Sequence, residues 1–137
     1  MTTVTPEDER GRFDVGDWVL RAAVALLFVS VGWEKLFAGP QSYWIPLFNA
    51  IGFGQWLRYV TGALQLLGAL LIIVPRTALV GAGLVGSTMV GAITCHLFLL
   101  KTGVGGALIP AVFLGFVVAA ARRRLKGSEI DNPLLLR

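Results

Sequence analysis

Four long apolar stretches dominate the chain, and short breaks containing glycine, proline or charged residues separate them. They lie at about residues 18–36, 56–74, 78–100 and 104–121. A helix needs about 20 mostly apolar residues to cross the roughly 30 Å hydrocarbon core of a bilayer, and each stretch is near that length. Pro75 ends the second stretch because proline lacks an amide hydrogen and disfavours helix before it. The pattern predicts four transmembrane helices.

The composition supports a membrane protein over a water-soluble domain. Apolar residues make up 55% of the 137 residues and charged residues only 15%, whereas a soluble domain has about a quarter charged. A chain this short has too much surface to hide so many apolar residues from water. The alternating pattern of a transmembrane β-barrel is missing from the sequence. The predicted fold class is all-α, a four-transmembrane-helix bundle at residues 18–121 between a polar tail (1–17) and a basic tail (122–137).

The basic residues predict the orientation of the bundle. With four spans, both tails and the Arg76 loop lie on one side, and the other side has only Lys35, Arg58 and Lys101. The first side holds nine basic residues: Arg10, Arg12, Arg21, Arg76, Arg122, Arg123, Arg124, Lys126 and Arg137. Basic residues favour the cytoplasmic side. Both termini are therefore predicted to be cytoplasmic, in a bacterial inner membrane, and the basic run after residue 121 fixes orientation and does not indicate nucleic-acid binding.

The first loop, around residues 43–53, is too apolar for water and too short to span the membrane. Such a segment suits a short helix that lies in the interface or re-enters the bilayer. It is either a simple lid over the bundle or part of a substrate entrance. Trp18, Trp44 and Arg21 are predicted headgroup anchors, because aromatic and basic side chains prefer the interface.

The third stretch is rich in small residues, which let helices approach closely in lipid. It is therefore predicted to lie at the centre of the bundle, touching more than one neighbour. Its small residues are Gly81, Gly83, Gly86, Ser87, Gly91, Ala92 and Thr94.

Four titratable residues from three helices fall at similar depth near the outer face: Glu34, Lys35, Arg58 and His96. Ionisable groups at membrane depth are costly and are therefore functional candidates. They predict a polar pocket under the Trp44 loop, with Arg58 or His96 as partner of Glu34. Structural ion pairing and snorkelling of the long side chains to the headgroups are the alternative interpretation.

Gln65 lies at the middle of the second stretch. Its amide is predicted to hydrogen-bond across helices to Thr88 or Thr94. One histidine and the lone Cys95 do not make a metal site, and no nucleophile–histidine–acid arrangement predicts catalysis.

Several short motifs, in this order and spacing, resemble the DoxX family of small four-helix membrane proteins. The resemblance covers about residues 21–96, and its parts are Arg21, Gly32–Leu36, Ile51–Gly54, Gly62–Gly68, Pro75–Ala78, Met89–Ala92 and His96. The family is named for a subunit associated with thiosulfate–quinone oxidoreduction, and relatives are linked to membrane redox complexes and oxidative stress. Many members carry glutamate where Gln65 stands, which leaves Glu34 as the acid here.

The resemblance and the outer pocket together predict an accessory or structural subunit of a membrane redox complex, without catalytic activity of its own. The pocket is predicted to bind a quinone or a lipid headgroup, with hydrogen bonds from His96, Arg58 or Lys35. Membrane lipids are expected partners, together with other membrane subunits or further copies of the chain. The alternative is a small-solute transporter that works as an oligomer, although residues 18–74 and 78–121 show no internal repeat.

Overall fold

The computed structural model describes residues 6–37, 39–100 and 102–130. Its helices are α1 (Pro6–Phe37), α2 (Trp44–Ile51), α3 (Gln55–Ile73), α4 (Ala78–Thr94) and α5 (Gly103–Ile130), and a single-turn π-helix (Cys95–Leu99) extends α4. Four segments are long and apolar enough to cross a membrane: Val15–Phe37, Gln55–Ile73, Ala78–Leu99 and Gly103–Arg123. The protein is therefore an integral membrane protein, and the predicted all-α, four-span fold class is confirmed.

The helices extend beyond the apolar stretches at both ends of the chain. α1 begins at Pro6, where proline suits the first turn because that amide would have no intrahelical partner. α5 continues past the basic run to Ile130. Parts of both predicted tails are thus helical, while residues 1–5 and 131–137 of those tails lie outside the described residues. The cytoplasmic placement of the tails stays a prediction.

The helix ends follow local backbone rules. Gly52 ends α2 with φ 88°, and its amide donates to the Asn49 carbonyl at 3.1 Å, while Gly54 precedes α3 with φ 82°. Glycine adopts these positive φ values without steric cost. α3 ends where Val74 turns extended before Pro75, as the sequence predicts.

Each membrane helix after the first packs closely on the membrane helix before it in the chain: α3 on α1, α4 on α3, and α5 on α4. The core between them is built from Val24, Ala25, Phe28, Ala69, Ile72, Ala82, Val85, Met89 and Val117. The seam between α1 and α5 is packed least closely. Phe28 and Phe113 meet there edge to face at 5.9 Å, beside an apolar crevice of about 130 Å³.

Two glycine pairs allow the closest helix approaches. A Cβ on Gly32 would lie 2.9 Å from the Gly62 carbonyl oxygen, and one on Gly81 would lie 2.5 Å from the Gly68 carbonyl oxygen. The backbones of the two helices are thus in direct contact at the α1–α3 and α3–α4 crossings, because glycine has no side chain there. Dispersion forces at such contacts hold helices together in lipid. α4 contacts α3 and α5, but a Cβ on Gly83 or Gly91 would meet no described atom within 4 Å apart from the backbone of its own helix. The small residues of the third stretch are therefore not all packing positions.

Gln65 is completely buried in α3, and neither its amide nitrogen nor its amide oxygen has a hydrogen-bond partner among the described residues. The predicted bonds to Thr88 and Thr94 are not formed. Instead, Thr88 donates to the Val85 carbonyl at 2.7 Å and Thr94 to the Val90 carbonyl at 2.9 Å. Threonine hydroxyls in helices readily bond carbonyls three or four residues earlier, which uses their single proton.

Replacing Gln65 by methionine, which has nearly the same shape, is expected to raise the free energy of unfolding by about 1–2 kcal/mol. The reason is that an apolar side chain removes the cost of burying unpaired amide atoms. Denaturation in detergent with increasing dodecyl sulfate, followed by circular dichroism, would measure the change. Leu64→Met is the control for methionine itself, and a loss of stability in Gln65→Met would contradict the absence of a partner.

Candidate functional site

Arg58 joins three helices at the end of the bundle where α2 packs, here called the α2 end. The side chain is 3% exposed. Its Nη1 donates to the Lys35 carbonyl oxygen of α1, and its Nε donates to Gln55 Oε1 at 2.8 Å. Gln55 in turn donates from Nε2 to Asn49 Oδ1 at 2.7 Å and to the Ile45 carbonyl at 3.0 Å. Because Lys35 lies in the last turn of α1, its carbonyl has no intrahelical donor, and Arg58 supplies one.

Lys35 is buried beneath α2. Its side chain is 6% exposed, with Nζ 4.6 Å from the centre of the Trp44 ring and 5.8 Å from the centre of the Phe48 ring. Ring faces attract a cation electrostatically, most of all when water is excluded. Within the described residues, no carboxylate pairs with Lys35 or Arg58. Two buried cationic side chains therefore lie at the α2 end, and neither forms an ion pair with a described carboxylate.

Glu34 points in a different direction from Lys35 on α1. Neighbouring helix residues point about 100° apart, and Glu34 is exposed while Lys35 is buried. Its Oε2 accepts a hydrogen bond from Trp44 Nε1 at 3.2 Å. The predicted partners, Arg58 and His96, are not bonded to it in the described part of the chain. Arg58 hydrogen-bonds to Lys35 and Gln55 instead, and His96 hydrogen-bonds to Thr102.

A cleft of about 360 Å³ opens between the end of α1 and the start of α2. It is lined by Trp33, Glu34, Phe37, Gly39, Gln41, Ser42, Tyr43 and Trp44. The rings of Trp33 and Phe37 are 4.2 Å apart, centre to centre, and those of Tyr43 and Trp44 are 5.5 Å apart. Trp44 thus borders both the cleft and the Lys35 side chain.

His96 is bonded to Thr102 and not to the other three predicted site residues. The π-helix carries it toward the start of α5, where Nδ1 is 2.9 Å from Thr102 Oγ1 and the Thr102 hydroxyl donates to the His96 carbonyl at 3.2 Å. Its ring fills the space that a Cβ on Gly106 would occupy. No hydrogen bond or ion pair among the described residues links His96 with Glu34, Lys35 or Arg58, so the four do not form one bonded cluster.

Among the described residues, Arg21 and Asp17 form an ion pair at the end of the bundle opposite the α2 end. Arg21 is 3% exposed and therefore buried among the helices, and its role as a headgroup anchor stays a prediction. Burial follows from its partner one turn away on the same helix face. Trp18 next to the pair is 51% exposed, and its role as a headgroup anchor stays a prediction.

The sequence analysis missed Gln55, Asn49 and Phe48, which connect α2 to the cationic pair. The only signal was the presence of two amide side chains in an otherwise apolar loop region. Such side chains need hydrogen-bond partners when the surrounding segment is apolar, but the sequence does not say which.

The fold and these contacts define a class: a small four-span helical membrane protein with a short helix covering buried cationic residues at one end. The sequence model of the DoxX-like family matches residues 19–120, which is more than half of the chain and extends into α5. The protein belongs to the DoxX-like family, as the motifs predict. No curated protein and no solved structure matches it.

Proposed function

We propose that this protein is an accessory subunit of a membrane complex, without catalysis of its own, that binds a hydrogen-bond-accepting ligand at the α2 end. The observation that carries the proposal is the pair of buried cations, Lys35 and Arg58, which have no carboxylate partner among the described residues. A charge removed from water needs an opposite charge or hydrogen bonds. A quinone carbonyl or the phosphate of a lipid headgroup would supply the missing acceptor.

The donors suit such a ligand. Lysine offers three N–H donors and arginine five, and within the described residues the Arg58 bonds to Lys35 and Gln55 use only two of them. Trp44 and Phe48 cover Lys35 and keep water away from it. α2 then acts as the lid of the site, and movement of this short helix would admit the ligand.

The proposed setting is a redox complex in a bacterial inner membrane, with both termini in the cytoplasm and the α2 end outside. Family membership and the predominance of basic residues on the side of the tails support it. Purification in mild detergent, followed by mass spectrometry of bound proteins, lipids and quinones, tests it. Recovery of the chain alone, with neither a partner subunit nor a bound ligand, would contradict the proposal. The alternative of an oligomeric transporter stays a prediction, to be tested by solute flux in liposomes.

Replacing Lys35 by methionine is expected to weaken binding of a short-chain ubiquinone or of phosphatidylglycerol at least about tenfold. A charge-assisted hydrogen bond contributes about 1.5–3 kcal/mol, and each 1.4 kcal/mol changes affinity tenfold. Quenching of tryptophan fluorescence by the quinone and lipid retention in native mass spectrometry would measure the change. Arg76→Met removes an exposed charge between α3 and α4 and is the control. Equal affinities in the two variants would rule out Lys35 as a ligand contact.

A further inference from the structure

We propose that the cleft between α1 and α2 binds an organic ammonium ion, with Glu34 as its counter-charge and Trp33, Phe37, Tyr43 and Trp44 as its walls. This site differs from the Lys35–Arg58 site proposed above, because neither cation lines the cleft, although Trp44 borders both sites. The two sites also require opposite ligand charges. An experiment can therefore contradict one of the two binding proposals without contradicting the other.

Glu34 supplies the negative charge of the cleft. Its carboxylate is exposed, and it forms no ion pair with any described lysine, arginine or histidine. Trp44 Nε1 donates to Oε2 at 3.2 Å, but an ionised carboxylate has about four acceptor positions. The indole N–H thus fixes the carboxylate at the cleft and leaves acceptor positions for a ligand.

The aromatic side chains supply the second element of recognition. Aromatic faces attract cations, and rings gathered around one point recognise methylated ammonium groups. Trp33 and Phe37 make one ring pair of the cleft, and Tyr43 and Trp44 make the other, with interplanar angles of 38° and 73°. Trp33, Phe37 and Tyr43 are exposed, so part of each ring is accessible to a ligand.

Interfacial anchoring alone does not explain this arrangement. Anchoring aromatics need only reach headgroup depth, and they have no need to surround a carboxylate. Trp56 and Tyr59 are also exposed near the α2 end, yet neither lines the cleft. The presence of four aromatic rings and Glu34 along one wall-lined space is therefore a property of the cleft.

The size of the cleft suits a small ligand or a headgroup. Its volume of about 360 Å³ lies within the roughly 300–1,000 Å³ of small-molecule sites. The shared chemistry is an alkylated ammonium, which a choline or ethanolamine phospholipid carries in its headgroup and a free amine carries in solution.

Choline and its uncharged analogue 3,3-dimethylbutanol distinguish charge recognition from apolar binding. The full chain in phosphatidylglycerol nanodiscs would be titrated with each compound, with binding followed by tryptophan fluorescence and calorimetry. Choline is expected to bind at least about tenfold more tightly than the alcohol, since the charge adds ion pairing and cation–π attraction. Glu34→Gln is expected to remove this preference, and Trp44→Leu to weaken choline binding about tenfold. Trp56→Leu, a matched change of an exposed tryptophan outside the cleft, is expected to bind as wild type.

Nanodiscs that contain phosphatidylcholine separate the two sources of the ligand. Competition by the lipid with added choline would identify the headgroup as occupant, and undiminished choline binding would identify a free amine. Equal binding of choline and the alcohol by the wild-type chain, or unchanged choline preference in Glu34→Gln, would overturn the proposal. Glu34 is exposed, so the glutamine variant is expected to fold, and its circular dichroism and elution volume check this.

Discussion

Gly81→Val is expected to lower the free energy of unfolding by at least about 3 kcal/mol, at or above the upper end of typical overpacking costs. A Cβ on Gly81 would lie 2.5 Å from the Gly68 carbonyl oxygen and 2.7 Å from the Ile72 amide nitrogen. Both obstacles are backbone atoms of α3, so no rotamer change relieves the clash. The variant must separate α3 from α4, and separation forfeits the dispersion contacts along the whole crossing.

Gly83→Val is the matched control for this prediction. It lies on the same helix two residues later and has the same intrinsic cost of valine in a helix. Its Cβ would meet no described atom within 4 Å apart from the backbone of its own helix. Unfolding by dodecyl sulfate in mixed micelles would compare the variants. Similar losses at the two positions would show that α4 does not approach α3 through Gly81.

Asp17→Asn is expected to destabilise the protein by about 2–3 kcal/mol. It leaves Arg21, a residue that is 3% exposed, without its carboxylate partner. Removing one member of a fully buried ion pair costs about 3–5 kcal/mol. The expected loss of stability is smaller here because the Asp17 side chain is 23% exposed and solvent screens part of the interaction.

A double variant makes this prediction specific. Asp17→Leu with Arg21→Met removes both charges, and an apolar replacement of a buried pair is often neutral. The double variant is therefore expected to be more stable than Asp17→Asn and close to wild type in the same dodecyl sulfate titration. If the double variant were less stable than Asp17→Asn, burial of Arg21 would not be the source of the loss.

The membrane spans were predictable because hydrocarbon thickness sets one simple requirement on length and polarity. Pro75 and the glycine-rich start of α5 marked helix limits for equally local reasons. α2 was also predictable, since an apolar loop of that length has few other places to lie. None of these predictions depends on which helices are in contact.

The positions of the candidate site residues along their helices were predictable, but their hydrogen-bond partners were not. The positions of Glu34, Lys35, Arg58 and His96 near the same helix ends follow from counting residues. Their partners depend on helix rotation: Lys35 faces inward and Glu34 outward. Backbone acceptors compete as well, because the Lys35 carbonyl is one of the Arg58 partners.

The sequential packing of the helices has a consequence for biosynthesis. Since α3 packs on α1, α4 on α3 and α5 on α4, every newly inserted span finds its main partner already in the bilayer. Assembly can follow translation without waiting for distant parts of the chain, as expected for a topology dominated by near-neighbour contacts. Only the α1–α5 seam joins the first span to the last. Because this seam is loosely packed, the final contact contributes little to the free energy of folding.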